Sequence, residues 1–510
     1  MLGGSLLFGA VGCTDKFEEF NTNPKAPTLE QMEGDFAYTA TLIGNMVPVV
    51  AVGQENDYQM MDQMTGCEYG RMTAASNMWG TEGMYGTYNP RIGWQGQVFD
   101  ILMPKYIYTP FFKIRDASKG EGLAYHWAQI LRIFGTVRIS DCYGPTPYSM
   151  VGTGSSFSVE YDDMPDLYNA MFEDLDAAIA ALKEAPGINE AFANADFIYH
   201  GDMSKWLKFA NTLKLRMALR IVNPNPTLAK QKAEEAVADL GGLISEPADA
   251  AWSDNIPGGN ALHKVTVLWG EGAVSADITS YMNGYSDPRL SAYVKPASNG
   301  QYLGVRNGVF RYGDGSTKFA DYSKTIYGSN DKLLSIAASE SWFLRAEGAL
   351  RGWNMGGTAQ ELYEQGVRTS MSERGVQIGN YLESTATPGG YTVLSGDNAS
   401  YNIAAQTDVT PKWDASATFE KNLERIIVQK WLGNYPNGWE SWADFRRTGY
   451  PKWFPVVDNL ATDGVTKANG MRRIPFPQGE FNTNEANVRK AIQMLGGPDN
   501  SATNLWWAKK

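Results

Sequence analysis

The sequence predicts a mainly α-helical protein in which a scaffold of tetratricopeptide-like helical hairpins is interrupted by long irregular loops. Three observations predict this class. Apolar residues recur at steps of three and four over 166–183 and again over 204–222, which is typical of amphipathic helices. Two later helical stretches are separated only by the short loop Gly352–Gly357, as in an αα-hairpin. Helical periodicity is mostly lost over about 252–333, where Gly, Asn, Ser and Tyr dominate.

Several helices are expected in the first half of the chain. Thr28–Gln31 matches a capping box, in which two side chains satisfy the first free N–H groups of a helix. The segment Asn223–Pro226 ends a helix, because proline cannot continue one. We therefore expect helices over residues 28–47, 120–139, 166–183, 204–222 and 227–239.

The second half returns to helix after the long loop region. Thr358–Glu361 is another capping box. Phe419, Leu423, Ile427 and Trp431 share one helical face, and a turn follows them. No 34-residue signature is strict enough to indicate a regular repeat array. We expect helices over residues 335–351, from 358 onward, and across 419–431.

Composition excludes several classes of protein. The chain has 510 residues and a formal net charge of −12 at pH 7, which argues against a broad attraction to nucleic acid or anionic lipid. After residue 13 no run of about 18 apolar residues occurs, so no segment is predicted to span a bilayer. His126, His200 and His263 are widely spaced and lack partners at ligand spacing, so no metal site is predicted.

Cys13 is the residue that points to a compartment. It ends a short apolar leader, the small residues Ala10–Gly12 precede it, and residues 14–19 are polar and acidic. This is the pattern of a bacterial lipoprotein, in which the leader is cleaved and the new N-terminal Cys carries lipid such as palmitate. The alternative is an ordinary start with a buried thiol. Because no Lys or Arg precedes Cys13, we expect the true translation start to lie upstream.

These features divide the chain into three parts: a signal leader (1–13), a flexible tether (14–27) and a single helical domain (28–510). Loop-rich regions of the domain are expected at about 64–97, 252–333 and 378–415. Cys67 and Cys142 could pair outside the cytoplasm. A chain of this size does not need such a bridge, and we favour free thiols.

Seven blocks of residues, in a fixed order, resemble a known family. They are Phe17–Pro24, Ser140–Tyr148, Trp206–Arg216, Asp287–Leu290, Ala338–Glu347, a sixth block made of Gln429–Trp431, Asn437–Trp442 and Arg446–Pro451, and Arg472–Pro477. With these blocks the chain resembles the SusD/RagB family of nutrient-binding outer-membrane lipoproteins, specifically its SusD-like second branch. The resemblance covers nearly the whole chain. Each block alone is weak evidence, and their order makes the resemblance specific.

The resemblance implies a function as well as a fold. Family members have a helical, tetratricopeptide-like scaffold with an irregular ligand-binding part. They are anchored by lipid on the exterior face of the outer membrane. There they cover a TonB-dependent transporter of the SusC type and pass it oligosaccharides, or in some members peptides. They are not enzymes, and no cofactor is implied.

Several residues of the family blocks are expected to hold the fold rather than a ligand. Asp141, Glu347, Arg446 and Arg447 lie in or beside helices and turns. A buried charge needs a partner, so we expect these residues to form buried Arg–carboxylate pairs that join loops to helices. We expect the tryptophans of the sixth block, at 431, 439 and 442, to pack in the core.

Ligand candidates lie in the aromatic, glycine-rich stretches 64–97 and 263–330. The apolar face of a pyranose stacks on an aromatic ring, while its hydroxyls need polar partners. The ligand-binding residues that we predict are Trp79, Tyr85, Tyr88, Trp269, Tyr302 and Tyr312, and Asn77, Asn89, Arg91, Asn307 and Arg311 are candidate polar partners. Trp79 and Trp269 are the first choices. The alternative for each aromatic residue is packing in the core.

Other classes of function remain open at this point. A surface glycoside hydrolase would need two facing carboxylates, and no acidic pair stands out by motif among the 56 acidic residues. The sequence also contains no nucleophile elbow and no phosphate-binding loop. A peptide-binding protein, or a lid that recognises no nutrient, is a nearer alternative. The sequence does not name the nutrient.

Overall fold

The computed structural model describes residues 37–76, 85–154, 158–254, 256–309 and 320–509. The described chain is mainly helical, which confirms the predicted fold class. The longer helices are α1 (Ala37–Met46), α2 (Thr109–Ser118), α3 (Gly122–Tyr143), α4 (Met164–Lys183), α5 (Met203–Arg220), α6 (Pro226–Ala238), α7 (Ala276–Tyr285), α8 (Ala338–Leu350), α9 (Ala359–Glu373), α10 (Phe419–Gly433), α11 (Trp439–Thr448) and α12 (Glu485–Leu495).

Shorter elements complete the backbone. Short α-helices lie at Glu55–Tyr58, Ile92–Gln95, Gln97–Ile101, Ala261–His263, Leu290–Tyr293 and Gln478–Thr483, π-helices at Gln59–Cys67, Leu102–Tyr108 and Lys264–Leu268, and 3-10 turns at Val47–Val49, Tyr85–Thr87, Pro247–Asp249, Tyr381–Glu383, Ala399–Tyr401 and Trp506–Ala508. The strands are β1 (Thr73–Ala75), β2 (Ala251–Ser253), β3 (Gly272–Val274), β4 (Val294–Lys295), β5 (Lys324–Thr325) and β6 (Leu333–Ile336). They form three antiparallel pairs: β1 with β3, β2 with β6 and β4 with β5.

Consecutive helices pack against each other, as the helical-hairpin prediction requires. Helix α3 packs on α4, α5 on α6, and α8 on α9, while α10 covers α8. The capping box predicted before α9 is present. The Thr358 hydroxyl accepts from the Glu361 N–H at 3.2 Å, and the Glu361 carboxylate accepts from the Thr358 N–H at 2.9 Å. The box predicted at Thr28 lies outside the described residues.

Buried ion pairs join four of these helices. Arg216 and Arg220 of α5 pair with Glu340 of α8 and Glu440 of α11, each at 2.8 Å. Lys430 of α10 lies 3.0 Å from Asp444 of α11. Such groups are stable in the interior only when they are paired and hydrogen-bonded. The charges therefore fix how α5, α8, α10 and α11 pack.

The residues expected to hold the fold do so. Asp141 lies 3.1 Å from Arg220, Arg447 pairs with Glu347, and all four side chains are buried. Arg446 differs from the prediction, because its guanidinium donates to backbone carbonyls rather than to a carboxylate. The three tryptophans of the sixth block (residues 431, 439 and 442) are buried in the main core, as predicted.

Two helices contradict the sequence analysis. Helix α7 lies inside the region 252–333, where we expected helical periodicity to be mostly lost. Nearly every residue of α7 is buried, its polar residues included, so its sequence need not alternate between a face in water and a face in the core. Helix α11 was not predicted, because charged residues such as Glu440 and Arg447 point into the interior and hide its apolar face.

Cys67 and Cys142 are both buried and unpaired, in agreement with the favoured interpretation. Across the described ranges, no helix combines the length and the apolar character needed to cross a membrane. Within the same residues, no group of three or more His, Cys, Asp or Glu side chains is arranged to hold a metal ion.

Candidate ligand-binding site

The two loop regions in which ligand residues were predicted meet through one strand pair. Strand β1 belongs to the first region and β3 to the second, and Thr73 pairs with Val274. The Ser76 hydroxyl extends the pairing by donating to the Gly270 carbonyl at 2.7 Å. Residues almost 200 positions apart are therefore joined in one buried junction.

A cluster of buried polar side chains holds the β1–β3 junction together. The Glu68 carboxylate accepts from the Ala75 N–H at 2.7 Å and from the Asn307 amide at 2.9 Å. Asn307 also donates to the Thr73 carbonyl at 2.8 Å and accepts from the Ser275 hydroxyl at 2.7 Å. Burial raises the pKa of Glu68 to about 7, although Asn307 opposes the shift. Asn307, predicted as a polar ligand partner, is thus committed to holding the two regions together.

Trp269 is the predicted residue that the structure exposes best. It is 42% exposed and lies between Leu268 and Gly270, which are exposed too. Its N–H donates to the Lys264 carbonyl at 2.9 Å, so the end of the preceding π-helix holds its backbone. Glu271, two residues further on, accepts a hydrogen bond from Gln59. An exposed, flat apolar ring such as that of Trp269 is suited to stacking on a sugar ring.

The other predicted aromatic residues differ in their placement. Tyr302 is half-buried against the main core. Tyr85 is 1% exposed and packs with its ring centroid 5.9 Å from that of Tyr69, so it offers no face to a ligand in solution. This corrects the expectation for Tyr85. Trp79 and Tyr312 lie outside the described residues, as do the candidate polar residues at 77 and 311.

Tyr88 is also buried, at 6% exposed, and its role as a ligand-binding residue stays a prediction. Its hydroxyl accepts from an Arg71 Nη at 2.9 Å. Of the remaining polar candidates, Asn89 is half-buried, and Arg91 is exposed with its guanidinium 5.2 Å from the ring centroid of Trp94.

Tyr88 forms part of the wall of a cavity of about 620 Å³. Ligand pockets in proteins have volumes of about 300–1,000 Å³. Phe445 and Trp453 form another wall, with ring centroids 4.8 Å apart and planes inclined by 27°. The cavity lies beside the joined loops, because Arg306 of the second region donates to the Pro455 carbonyl at 2.7 Å. The Leu460 N–H donates to the Thr87 carbonyl of the first region at 2.8 Å.

The sequence analysis missed this cavity. Most of its lining comes from the segment 442–472, in which the sequence analysis assigned Trp442, Arg446 and Arg447 to the fold and no residue to a ligand. The available signal was the run Tyr450–Pro455, where aromatic residues and prolines follow the last turn of α11 without helical periodicity.

The comparisons with known proteins agree with the architecture. The SusD-like family model, described as SusD and RagB outer membrane lipoproteins, matches residues 19–508. A SusD-like protein from Bacteroides thetaiotaomicron has a solved structure that is similar with a TM-score of 0.88 and 38% identity, covering 92% of this chain and 99% of that one. None of the curated proteins compared matches the chain.

Two further solved structures extend the similarity. A SusD homologue from Bacteroides ovatus has a TM-score of 0.87 and 37% identity, with 93% of this chain and 100% of that chain covered. A chitin-binding SusD homologue from Flavobacterium johnsoniae has a TM-score of 0.86 and 35% identity, with 94% and 99% covered.

Proposed function

Because the chain belongs to the SusD-like family of outer membrane lipoproteins, we propose that it binds an oligosaccharide at the cell surface. It then delivers this ligand to a TonB-dependent transporter of the SusC type. The observation that carries the proposal is the β1–β3 pair, which joins the two aromatic loop regions, together with the exposure of Trp269 shortly before β3. The chitin-binding homologue supports a saccharide as ligand.

The protein acts by binding and handing over rather than by turnover. A stacking face binds the apolar side of a sugar ring, and neighbouring polar groups select its hydroxyls. A lipid on Cys13 and the tether 14–27 hold the helical body near the transporter, so that captured ligand stays close to the pore. Cys13 and the tether lie outside the described residues, and this part of the proposal comes from the sequence.

Isothermal titration tests the binding step. The protein is titrated with neutral and acidic oligosaccharides and with peptides, and Trp269→Ala is compared with Phe419→Ala. Phe419 is a matched control, because it is 39% exposed and begins α10, outside both loop regions in the sequence. We expect Trp269→Ala to weaken saccharide binding about fivefold, the size of one lost stacking contact, and Phe419→Ala to leave it unchanged.

The alternatives give different results in the same experiment. Saturable heat with peptides alone would replace the saccharide by a peptide ligand. No saturable heat with any ligand would indicate a lid that recognises no nutrient. Full saccharide affinity in both Trp269→Ala and Trp79→Ala would contradict the assignment of the site, and turnover of an oligosaccharide would revive the hydrolase interpretation.

A further inference from the structure

The cavity bounded by Tyr88, Phe445 and Trp453 has a positively charged lining. Its lining contains five cationic side chains and no carboxylate, in a protein whose formal net charge is −12. The cationic residues are Arg71, Arg446, Lys452, Lys467 and Arg472. Among the described residues, none of them has a carboxylate oxygen within the 4.0 Å that defines an ion pair.

Two of these arginines have only neutral acceptors. Arg446 stacks 3.6 Å above the ring centroid of Trp442 and donates to the carbonyls of Asp141 and Arg472. Arg472 donates to the Arg446 carbonyl at 2.5 Å and to the Asn504 side chain at 2.6 Å. Burial, with a contribution from Arg472, lowers the pKa of Arg446 to about 9, and burial lowers the pKa of Arg472 to about 10. A bound anion would stabilise both charges.

Buried carboxylates partly compensate the positive charge of two of these arginines. Asp277 and Glu68 attract Arg71 electrostatically, and Asp141 attracts Arg446. None of these three carboxylates lines the cavity. These carboxylates help to keep the two arginines in place. Lys452 and Lys467 at the exposed rim, together with Arg472, make no ion pair with any described residue.

Unpaired buried donors form an independent observation. Arg71 Nε, Arg446 Nη2, Trp453 Nε1 and the Tyr69 hydroxyl are buried, and none has a hydrogen-bond partner among the described residues. All four belong to residues that line the cavity, and each can donate a hydrogen bond. A buried donor without an acceptor costs free energy. The lining therefore leaves four buried donors without an acceptor and contains no carboxylate, and an acidic ligand supplies both acceptor oxygens and negative charge.

We propose that this cavity binds the anionic group, carboxylate or sulfate, of an acidic saccharide. The aromatic walls contact the apolar face of the sugar ring, and the guanidinium and ammonium groups bind its acid. This inference rests on the proposed function, since it names the class of saccharide that the protein takes. Hydrogen bonds between residues 454–460 and both loop regions join the chain around this cavity to the region that contains Trp269.

Isothermal titration with defined probes tests the inference. The purified protein is titrated with trigalacturonic acid, a sulfated galactose oligosaccharide, the neutral trimer of N-acetylglucosamine and an oligoglutamate peptide. The first two probes distinguish carboxylate from sulfate. The variants are Lys452→Gln/Lys467→Gln, which removes two exposed rim charges, and Arg472→Gln. The control is Lys183→Gln/Lys230→Gln, which removes two exposed charges on α4 and α6.

We expect at least one acidic saccharide to bind more tightly than the neutral trimer. Both cavity variants should weaken this binding about tenfold, and the control should leave it unchanged. Affinity should also fall as salt rises from about 50 to about 300 mM. If Arg472→Gln fails to fold, the lysine variant alone decides.

Two results overturn the inference and leave the proposed function standing. One is neutral-trimer binding at least as tight as acidic-saccharide binding. The other is equal affinity for acidic saccharides in the protein and in the lysine variant. Binding of the oligoglutamate peptide alone, or no binding at all, would overturn the proposed function together with the inference.

Discussion

Arg447 on α11 donates two hydrogen bonds of 2.6 Å to the carboxylate of Glu347 on α8, and both side chains are 1% exposed. Burial alone would raise the pKa of Glu347, but Arg447 and Arg351 lower it to about 2. Two elements 100 residues apart in the chain are thereby joined by one bidentate ion pair. The pair connects the C-terminal segment that forms the cavity to the helical scaffold.

Removing one partner of this pair should destabilise the protein strongly. Arg447→Met removes the cation that the buried Glu347 and Asp444 share, and leaves Glu347 with Arg351 and Asp444 with Lys430. We expect the free energy of unfolding in urea to fall by about 3–5 kcal/mol. The double variant Arg447→Met/Glu347→Leu should lose less than Arg447→Met alone, because it removes the stranded charge as well.

The exposed pair Arg489–Glu485 on α12 is the control for this prediction. Its side chains are mostly in solvent, and replacing both by Gln should cost less than about 1 kcal/mol. Equal losses for the two single-pair disruptions would show that Arg447 and Glu347 do not stabilise the fold as the geometry indicates.

A close approach of two backbones gives a second prediction. A Cβ atom on Gly438, just before α11, would lie 2.1 Å from the Gly66 carbonyl oxygen and 2.6 Å from the Cα of Cys67. Backbone cannot move aside as a flexible side chain can, so Gly438→Ala should lower the free energy of unfolding by about 1–3 kcal/mol. Gly154→Ala is the control, since no atom lies within 4 Å of its added Cβ. A Gly438→Ala variant as stable as Gly154→Ala would refute the contact.

The sequence predicted elements that show their pattern locally. Helices α4 and α5 have apolar stripes at helical spacing, and α9 has its capping box. Helices α7 and α11 could not be predicted in the same way. Helix α7 is buried on nearly all sides, and α11 has charged side chains that point into the interior. Apolar residues recur with helical periodicity when one face of the helix is in water and the other is in the core.

The candidate site was predictable only in part, for a related reason. The sequence identified aromatic loops, and Trp269 is exposed as a ligand residue must be. It could not tell that Asn307 is used to hold two loops together, because that depends on the long-range pairing of β1 with β3. It also missed Arg472 and the cavity, since the cationic lining is assembled from separate turns of the chain.

The membrane anchor gives a third prediction, which rests on the sequence. If Cys13 carries lipid, the protein made from its own locus should incorporate labelled palmitate and remain in the outer-membrane fraction. Cys13→Ala should lose the label and the membrane association, because a lipid chain contributes roughly 0.8 kcal/mol for each buried methylene. Cys67→Ala, which removes a buried thiol, should retain the label. Wild-type protein released without lipid would contradict the anchor.

Glu68 beneath the loop junction makes stability depend on pH. Burial raises its pKa from 4.5 to about 7 in the folded protein, so the folded state binds its proton more tightly than the unfolded state does. The stabilising contribution is complete below pH 4.5 and is lost as pH rises through about 7.

Glu68→Gln mimics the protonated form at every pH. The free energy of unfolding of the wild type, relative to this variant, should therefore fall by up to about 3 kcal/mol between pH 4.5 and 8. Urea unfolding at several pH values measures this difference, with the exposed residue Glu383→Gln as a control that should show no such trend. A wild-type–Glu68→Gln difference that stays constant over this range would show that Glu68 titrates alike in the folded and unfolded chains.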